Sequence, residues 1–584
     1  MTAGLAAVCV GLIATCVVPA GAKADSAAPG ARPLRRDVDG AHFLGFNVVN
    51  LQSGNFSTDG AYVDATSGAL AAGTLRYPGG NIANWWDWRT GWCVPNVTIA
   101  SCPRCRNPCA NKQHVRRYRL EEFLLAVNAS GARIVYTLNM MTRPLPDALD
   151  FLAHARAAGG LGNGTYVELG GEFYWGKYER LYPTAVEYAS VANRWARAIR
   201  TRFPYVHPVA VGASSIANKA PGDRGFQWNG KIYSLLDAGA HAVHGVSYHP
   251  YLHLDNVYDP NEPSPLQPGV QPRRKGEGPT GWDPSAAVQQ QSANLLSVST
   301  ETNEGLEMLF GIPFFVRTML QDGNPATHQG VPSNSSLRAI VTEYNVMERA
   351  GPLKLSWAHA LFVAAMALNF LMIPTMEAAL LHVMLNGYSW GALYETSDDF
   401  AEPFGGAPPP GSQATALGRI GCRIDICRNL TTTPYSPTAI GTALGAVSVS
   451  MKATASAVEI VSGFSANNPT ISGGVMPGGL PGAVAYPSLM GFLFYPATAV
   501  STIDVNATVL NLGKAPLVFD STLDDPEHRG CNSYTTWTAP DPHGEPLSWA
   551  TSSRPVQRVT RSCSEEKGDA VLLPPYSITV VRMK

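Results

Sequence analysis

Two carboxylates in this chain each close an apolar run and open a polar turn. Glu172 follows TYVELGG, and Glu343 ends RAIVTE before Tyr344 and Asn345. Where an apolar parallel strand gives way to a turn, the next polar side chain stands at the end of the sheet on which sites form. Two carboxyl groups converging there supply what glycosidic cleavage needs, one to protonate the leaving oxygen and one to attack the anomeric carbon. The competing reading is that each glutamate only caps a strand or pairs with a surface arginine. Their shared setting favours chemistry, because both follow buried strands and both have aromatic neighbours, Phe173, Tyr174 and Trp175 beside one and Tyr344 beside the other.

Other side chains can serve this pair. Arg76, late in the run TLRY, can orient Glu343 or bind a sugar hydroxyl, and a structural ion pair under the rim is the alternative. In VSYHPY, a phenol or imidazole from Tyr248, His249 or Tyr251 can hydrogen-bond the nucleophile and keep it ionised. Strand alternation turns only some of the three inward, and a lone histidine is often simply packed. Asn139 is a candidate of the same kind. Trp85, Trp86, Trp88 and Trp92 crowd one loop, where indoles either stack on sugar rings, the role given to Trp86, or fill the loop's own core. Asn81 and Asp87 are candidates for hydroxyl contacts.

These residues need a frame. Short β-branched or aromatic runs alternate with helical patterns at Phe43–Asn47, Thr74–Tyr77, Arg133–Leu138, Thr165–Leu169, Val206–Val211, Gly245–His249, Arg338–Thr342 and Ala379–Met384. Between them, stretches such as PTAVEYASVANRWARAIR repeat apolar residues every three or four positions, as a helix on a sheet does. Eight β-α units predict a (β/α)8 TIM barrel with its chemistry on the strand C-terminal ends. The long inserts at 78–114, 250–285 and 386–429 follow strands two, six and eight and would wall a cleft on that face. Past residue 453 the texture changes to short alternating runs, VEIVSGF, GFLFYPA, IDVNATVLNL and YSITVVRM, which predict a C-terminal β-sandwich. The expected organisation is a signal peptide at 1–24, a catalytic barrel at 25–453 and the sandwich at 454–584.

On these residues the chain resembles the clan A retaining glycoside hydrolases. ELGGEFYW and VTEYNV look like that clan's acid/base and nucleophile segments, and LRYPGGNIANWWDW and HALFVAAMALNFL are similar to segments of the alpha-L-arabinofuranosidases. The heparanase and beta-glucuronidase group shares the general plan and a terminal segment like LPPYSITVV. The resemblance implies retention of configuration, with Glu172 as general acid/base and Glu343 as the nucleophile that forms a glycosyl-enzyme. Their carboxyl groups would sit about 5 to 5.5 Å apart, and the charge of Glu343 would hold Glu172 protonated. One residue departs from the pattern: the family places Asn before its acid/base, where the amide contacts the sugar, and this chain has Gly171. That leaves a sugar-binding protein with impaired catalysis as the alternative. An L-arabinofuranoside or a beta-glucuronide-containing glycan is the implied substrate, with no metal and no organic cofactor.

Composition narrows the classes further. The 584 residues carry 43 Lys+Arg against 44 Asp+Glu, a net charge of −1, without a long basic run, which argues against nucleic acid as the main partner. From Leu5 to Ala20 the chain is apolar, and Ala22-Lys23-Ala24 fits signal-peptidase cleavage, predicting a secreted or lysosomal/vacuolar protein. No Lys or Arg precedes that run, so an uncleaved anchor is the alternative. Seven Asn-x-Ser/Thr triplets, at Asn55, Asn96, Asn128, Asn163, Asn334, Asn429 and Asn506, fit the secretory route. Cys93, Cys102, Cys105 and Cys109 lie in one loop and suit either two disulfides or a zinc ion, while Cys422 is expected with Cys427 and Cys531 with Cys563. The apolar segment 357–375 contains His359 and Asn369 and meets Pro374, so a buried helix rather than a membrane span is expected.

Overall fold

The eight expected barrel strands form in a computed structural model, which describes residues 34–36, 38–48, 58–94, 117–213, 224–237, 242–253, 335–347, 356–371, 373, 375–385, 391–394, 435–460, 489–496, 505–511, 517–520, 531–540, 555–563 and 570–583. They are β1 (Leu44–Asn47), β2 (Thr74–Tyr77), β3 (Arg133–Thr137), β4 (Tyr166–Glu168), β5 (His207–Val211), β6 (Gly245–Tyr248), β7 (Arg338–Met347) and β8 (Met376–Leu381). Each pairs in parallel with its neighbour, and β7 pairing with β6 closes the barrel. Buried on both faces, these strands read as nearly continuous apolar runs, which is why they were legible. Strand β7 runs to Met347, beyond the expected Thr342, because the short strand Tyr251–His253 pairs with Asn345–Met347. That partner lies far away in sequence and gives no local sign.

Helices Leu120–Ser130, Leu145–Ala157, Ala185–Arg202, Arg224–Asp237 and Trp357–Phe370 cover the barrel. In Ala185–Arg202, Thr184 caps Val186 N–H while Glu187 bonds back to Thr184 N–H, a reciprocal box that fixes the start of the helix. Its buried residues, from Tyr188 through Trp195 to Ile199, recur at helical spacing against the sheet. Trp357–Phe370 is buried along most of its length, and no helix among the described residues is long and apolar enough to cross a membrane.

Inside the barrel, Val135, Tyr166, Val209, Ile340, Ala378 and Leu380 form an apolar layer. At its N-terminal end lies a polar belt in which His244 and Tyr166 both bond Glu377. Towards the C-terminal end the interior becomes polar, and there the candidate site sits.

Helix α1 (Ala439–Thr454) leads directly into a seven-stranded antiparallel sheet. Its strands, in sheet order, are Leu34–Arg36, Ala455–Ile460, Leu489–Pro496, Val505–Asn511, β11 (Ser577–Met583), β9 (Cys531–Thr538) and β10 (Gln557–Ser562). A second pair, Leu517–Asp520 with Ala570–Leu573, lies beside it. Leu34–Arg36, which the sequence reading placed with the barrel, instead pairs with Ala455–Ile460. Three residues carry too little pattern to reveal such a long-range partner. Cys531 and Cys563 are bonded, and Cys93 is also in a disulfide rather than a free zinc ligand. Cys102, Cys105, Cys109, Cys422 and Cys427 lie outside the described residues, as does the expected signal peptide. Of the triplet asparagines, Asn128 and Asn163 are exposed, but Asn506 is buried with its amide donating to the Ser450 carbonyl, so it cannot carry a glycan.

Candidate active site

The site begins with a turn. After β4 the chain enters Gly170 at φ +90°, a conformation that side chains rarely adopt, and a Cβ there would stand 2.0 Å from the Phe173 ring. Asn84 clamps the next residue from both sides, donating to the Gly171 carbonyl at 2.9 Å and accepting from its N–H at 3.1 Å. Glu172 is then held at φ +51°, a left-handed backbone uncommon for a residue with a side chain and typical of sites the surrounding structure over-determines. Asn81 and Tyr174 donate to its carboxylate, and His249 Nδ1 lies 3.1 Å from Oε1.

Glu343 comes from β7, where the register against β8 shifts between Val341 and Tyr344. Such a bulge re-aims side chains, and here the successive residues Thr342 and Glu343 both reach the polar interior. Glu343 Oε1 accepts from Arg76 at 2.6 Å and from Asn47 at 3.1 Å, and Oε2 accepts from the Tyr251 hydroxyl at 2.7 Å. His382 Nδ1 is 3.5 Å from Oε2 and 2.9 Å from the Asn47 amide, which donates to it. One oxygen of Glu172, one of Glu343 and a nitrogen of His249 all lie within 4.8 Å of one another.

Beneath this pair lies a carboxylate that the sequence reading overlooked. Glu168, fully buried on β4, accepts from Arg76 Nε at 2.8 Å, Thr137 at 2.9 Å and Thr342 at 2.8 Å. Arg76 therefore bridges Glu168 and Glu343 with its planar fork, which a single ammonium could not do. It is too buried to meet a sugar hydroxyl. A charge within an apolar run was the available signal, since a buried carboxylate needs a buried cation. Asn47 and His382 end strands β1 and β8 and were missed because nothing local marks them.

The charges follow from these contacts. Burial alone would raise the Glu168 carboxyl, but Arg76 and His249 bring it down to about 2. For Glu343, burial is likewise outweighed by His249 and Arg76, with the Tyr251 hydroxyl adding to them, leaving it well below the ordinary carboxylate range. Burial opposes a charged His249, yet the attraction of Glu343 and the hydrogen bonds to Glu168 and Glu172 push it up to about 10. This corrects the expectation for Glu172. Burial and Glu343 do push its carboxyl up, but the bond and charge of His249 prevail and lower it. In the resting site the shared proton thus sits on the imidazole. The spacing of Glu172, His249 and Glu343 would also suit a metal ion.

Over 198 residues the chain is 26% identical to an exo-alpha-(1->6)-L-arabinofuranosidase from Bifidobacterium longum, a match covering 32% of this chain and 36% of that protein. The chain thus matches about a third of the length of this curated relative. No protein-family model matches. Among solved structures, a family 51 alpha-L-arabinofuranosidase from Bifidobacterium longum aligns with 94% of this chain and 97% of its own, at TM-score 0.57 and 14% identity. An arabinofuranosidase from Xanthomonas axonopodis pv. citri gives 0.54 and 15%, over 94% and 98% of the chains. A 4-O-alpha-L-rhamnosyl-beta-D-glucuronidase from Fusarium oxysporum gives 0.50 and 10%, over 94% and 97%. The chain shares its fold with these proteins.

Several expected contact residues lie away from the pair. Tyr248 is turned outward, its hydroxyl against that of Tyr233 in the helix layer, because strand alternation sends His249 inward instead. Trp86 is buried, with Nε1 donating to the Tyr77 hydroxyl, and its ring packs edge-on against Tyr77. Asn139 spends its amide on the Trp86 carbonyl and Thr142, and its oxygen on the N–H groups of Met141 and Thr142. These bonds tie it to its own loop and to that of Trp86. Asp87 is engaged by Arg143 and the Arg89 N–H. Arg76, Asn81, His249 and Tyr251 do gather at the two glutamates.

Proposed function

We propose that this protein is a retaining glycoside hydrolase in which Glu172 is the general acid/base and Glu343 the nucleophile. The reading is carried by the separation of the pair, within 4.8 Å between oxygens. Retaining enzymes hold their carboxyls about 5–5.5 Å apart, whereas inverting enzymes leave about 6.5–9.5 Å for a water. Glu343, ionised and fixed by Arg76, Asn47 and Tyr251, attacks the anomeric carbon. As the bond to the leaving oxygen breaks, that oxygen takes the proton shared by His249 and Glu172. A water then attacks the glycosyl-enzyme, giving its proton to Glu172 and releasing Glu343.

The substrate we propose is an L-arabinofuranoside, or a beta-glucuronide-containing glycan, without a metal or organic cofactor. The strand-two motif LRYPGGN and the name of the curated relative favour the former. We also propose passage through the secretory pathway, supported by the apolar leader, exposed Asn128 and Asn163 and the Cys531–Cys563 bond.

Glu343→Gln is expected to lower turnover of an aryl glycoside by about 10⁴-fold or more with an unchanged circular dichroism spectrum. Undiminished turnover would remove Glu343 from its role. The second reading, a sugar-binding protein without turnover, draws on Gly171. It requires calorimetric binding of a sugar with no product from aryl arabinofuranosides, glucuronides, xylosides or glucosides.

A further inference from the structure

A second cleft, of about 440 Å³, lies where the C-terminal sheet faces helix α1. By alternation, Ser533, Thr535 and Trp537 of β9 share one face of the sheet. The ladder sets Arg582 of β11 beside Ser533, and Thr560 and Arg558 of β10 beside Thr535 and Trp537. All six line the cleft. Across from them the wall includes Thr442, Gly445 and Ala446 of α1.

The chemistry of this face is specific. Arg558 lies over the Trp537 ring at 5.6 Å. Neither Arg558 nor Arg582 has a carboxylate partner among the described residues. Between them, the Thr535 and Thr560 hydroxyls meet at 3.0 Å and keep further lone pairs for a ligand. The two arginine rungs are four residues apart along β9, on strands either side of it. At sheet spacings the Cα atoms stand about 16 Å apart, two anchor points for a ligand that carries more than one anionic group.

We propose that this cleft is a second binding site, for an acidic oligosaccharide whose uronate or sulfate groups pair with Arg558 and Arg582. Guanidinium forks match such anions bidentately. The choice of a glycan over an acidic peptide rests on the reading of the barrel as a glycosidase. A chain held in the sandwich cleft would raise the effective concentration of its other parts near the barrel.

The test is calorimetry on the full chain carrying Glu343→Gln, so that nothing is cleaved. The titrants are a uronic acid hexasaccharide, a sulfated and a neutral hexasaccharide of the same length, and a glutamate hexapeptide. We expect an acidic hexasaccharide to bind in a salt-sensitive manner, weakened by about tenfold or more in Arg558→Ala/Arg582→Ala, as loss of charge-assisted bonds implies. Whichever acidic titrant shows this dependence identifies carboxylate or sulfate as the recognised group. Turnover of a small aryl glycoside by the double arginine variant, with Glu343 intact, should equal that of the native chain. Absent binding, binding indifferent to the arginines, equal binding of the neutral sugar or preference for the peptide would each overturn the site. Because aryl glycoside turnover is measured separately, arginine-dependent binding without turnover would sink the glycosidase reading and leave this one standing.

Discussion

At the scale of single residues, the site turns on which atom carries one proton. His249 touches Glu172, lies 3.7 Å from Glu343 and 3.8 Å from Glu168, and its charge lowers all three carboxyls. If it only filled space, replacing it would scale the rate without moving the pH profile. If it holds the acid proton, the alkaline limb of kcat/KM reports the imidazole, whose proton is held up to about 10. In His249→Gln that cation is gone, and burial and Glu343 act on Glu172 with less opposition, raising its carboxyl above its present position. The alkaline limb then belongs to Glu172 alone and is expected to move acidward by more than about one pH unit. A limb that stays in place would reduce His249 to packing.

At the scale of elements, the turn after β4 and the bulge in β7 place the two glutamates. Gly170 and Gly171 look interchangeable in sequence but are not. A Cβ on Gly170 would meet the Phe173 ring at 2.0 Å in a left-handed backbone, while one on Gly171 finds its nearest atom at 3.4 Å. Gly170→Ala is therefore expected to cost about 1–3 kcal/mol in denaturant unfolding and to lower turnover, because misplacing the acid by about 1 Å costs about 10²-fold. Gly171→Ala should stay within about 1 kcal/mol; equal losses in the two variants would refute the distinction. The same contrast explains what the sequence disclosed. Eight strands and both rim glutamates were readable, since an apolar run ending in a carboxylate is a local signal. The face each side chain takes was not: Tyr248, His249 and Tyr251 stand as equal candidates in sequence, and only the fold turns Tyr248 outward and ties Trp86 and Asn139 to neighbouring loops. Glu168, Asn47 and His382 become visible only when closure of the barrel brings β1, β2, β4, β7 and β8 to one centre.

At the scale of the whole molecule, titrating groups at both ends of the barrel should shape stability against pH in opposite directions. His249, raised from 6.5 to about 10, contributes stability that is complete below pH 6.5 and lost as pH rises through about 10. At the other end of the barrel, His207 is lowered to about 4 by burial and by the neighbouring His244, with Arg200 and Arg133 adding to this and Glu377 opposing it. Its rings and those of His244 lie 4.1 Å apart, and its Nδ1 has no hydrogen-bond partner. A histidine kept neutral in this way favours folding above pH 6.5 and loses that contribution as pH falls towards 4. His382, also lowered by burial, acts in the same sense. Below 4.5 the loss continues as Glu168 is protonated towards its pKa of about 2. Taken together these signs place the stability maximum near pH 6.5, with a decline towards acid that continues below pH 4.5. Thermal unfolding across pH 3–10 is expected to show that maximum. His207→Gln should flatten the stretch between pH 6.5 and 4, and Glu168→Gln, although less stable overall for leaving Arg76 half-paired, should lose part of the slope below 4.5. If the acid limb of Glu168→Gln ran parallel to that of the native chain, the buried Arg76–Glu168 pair would not be what fails in acid.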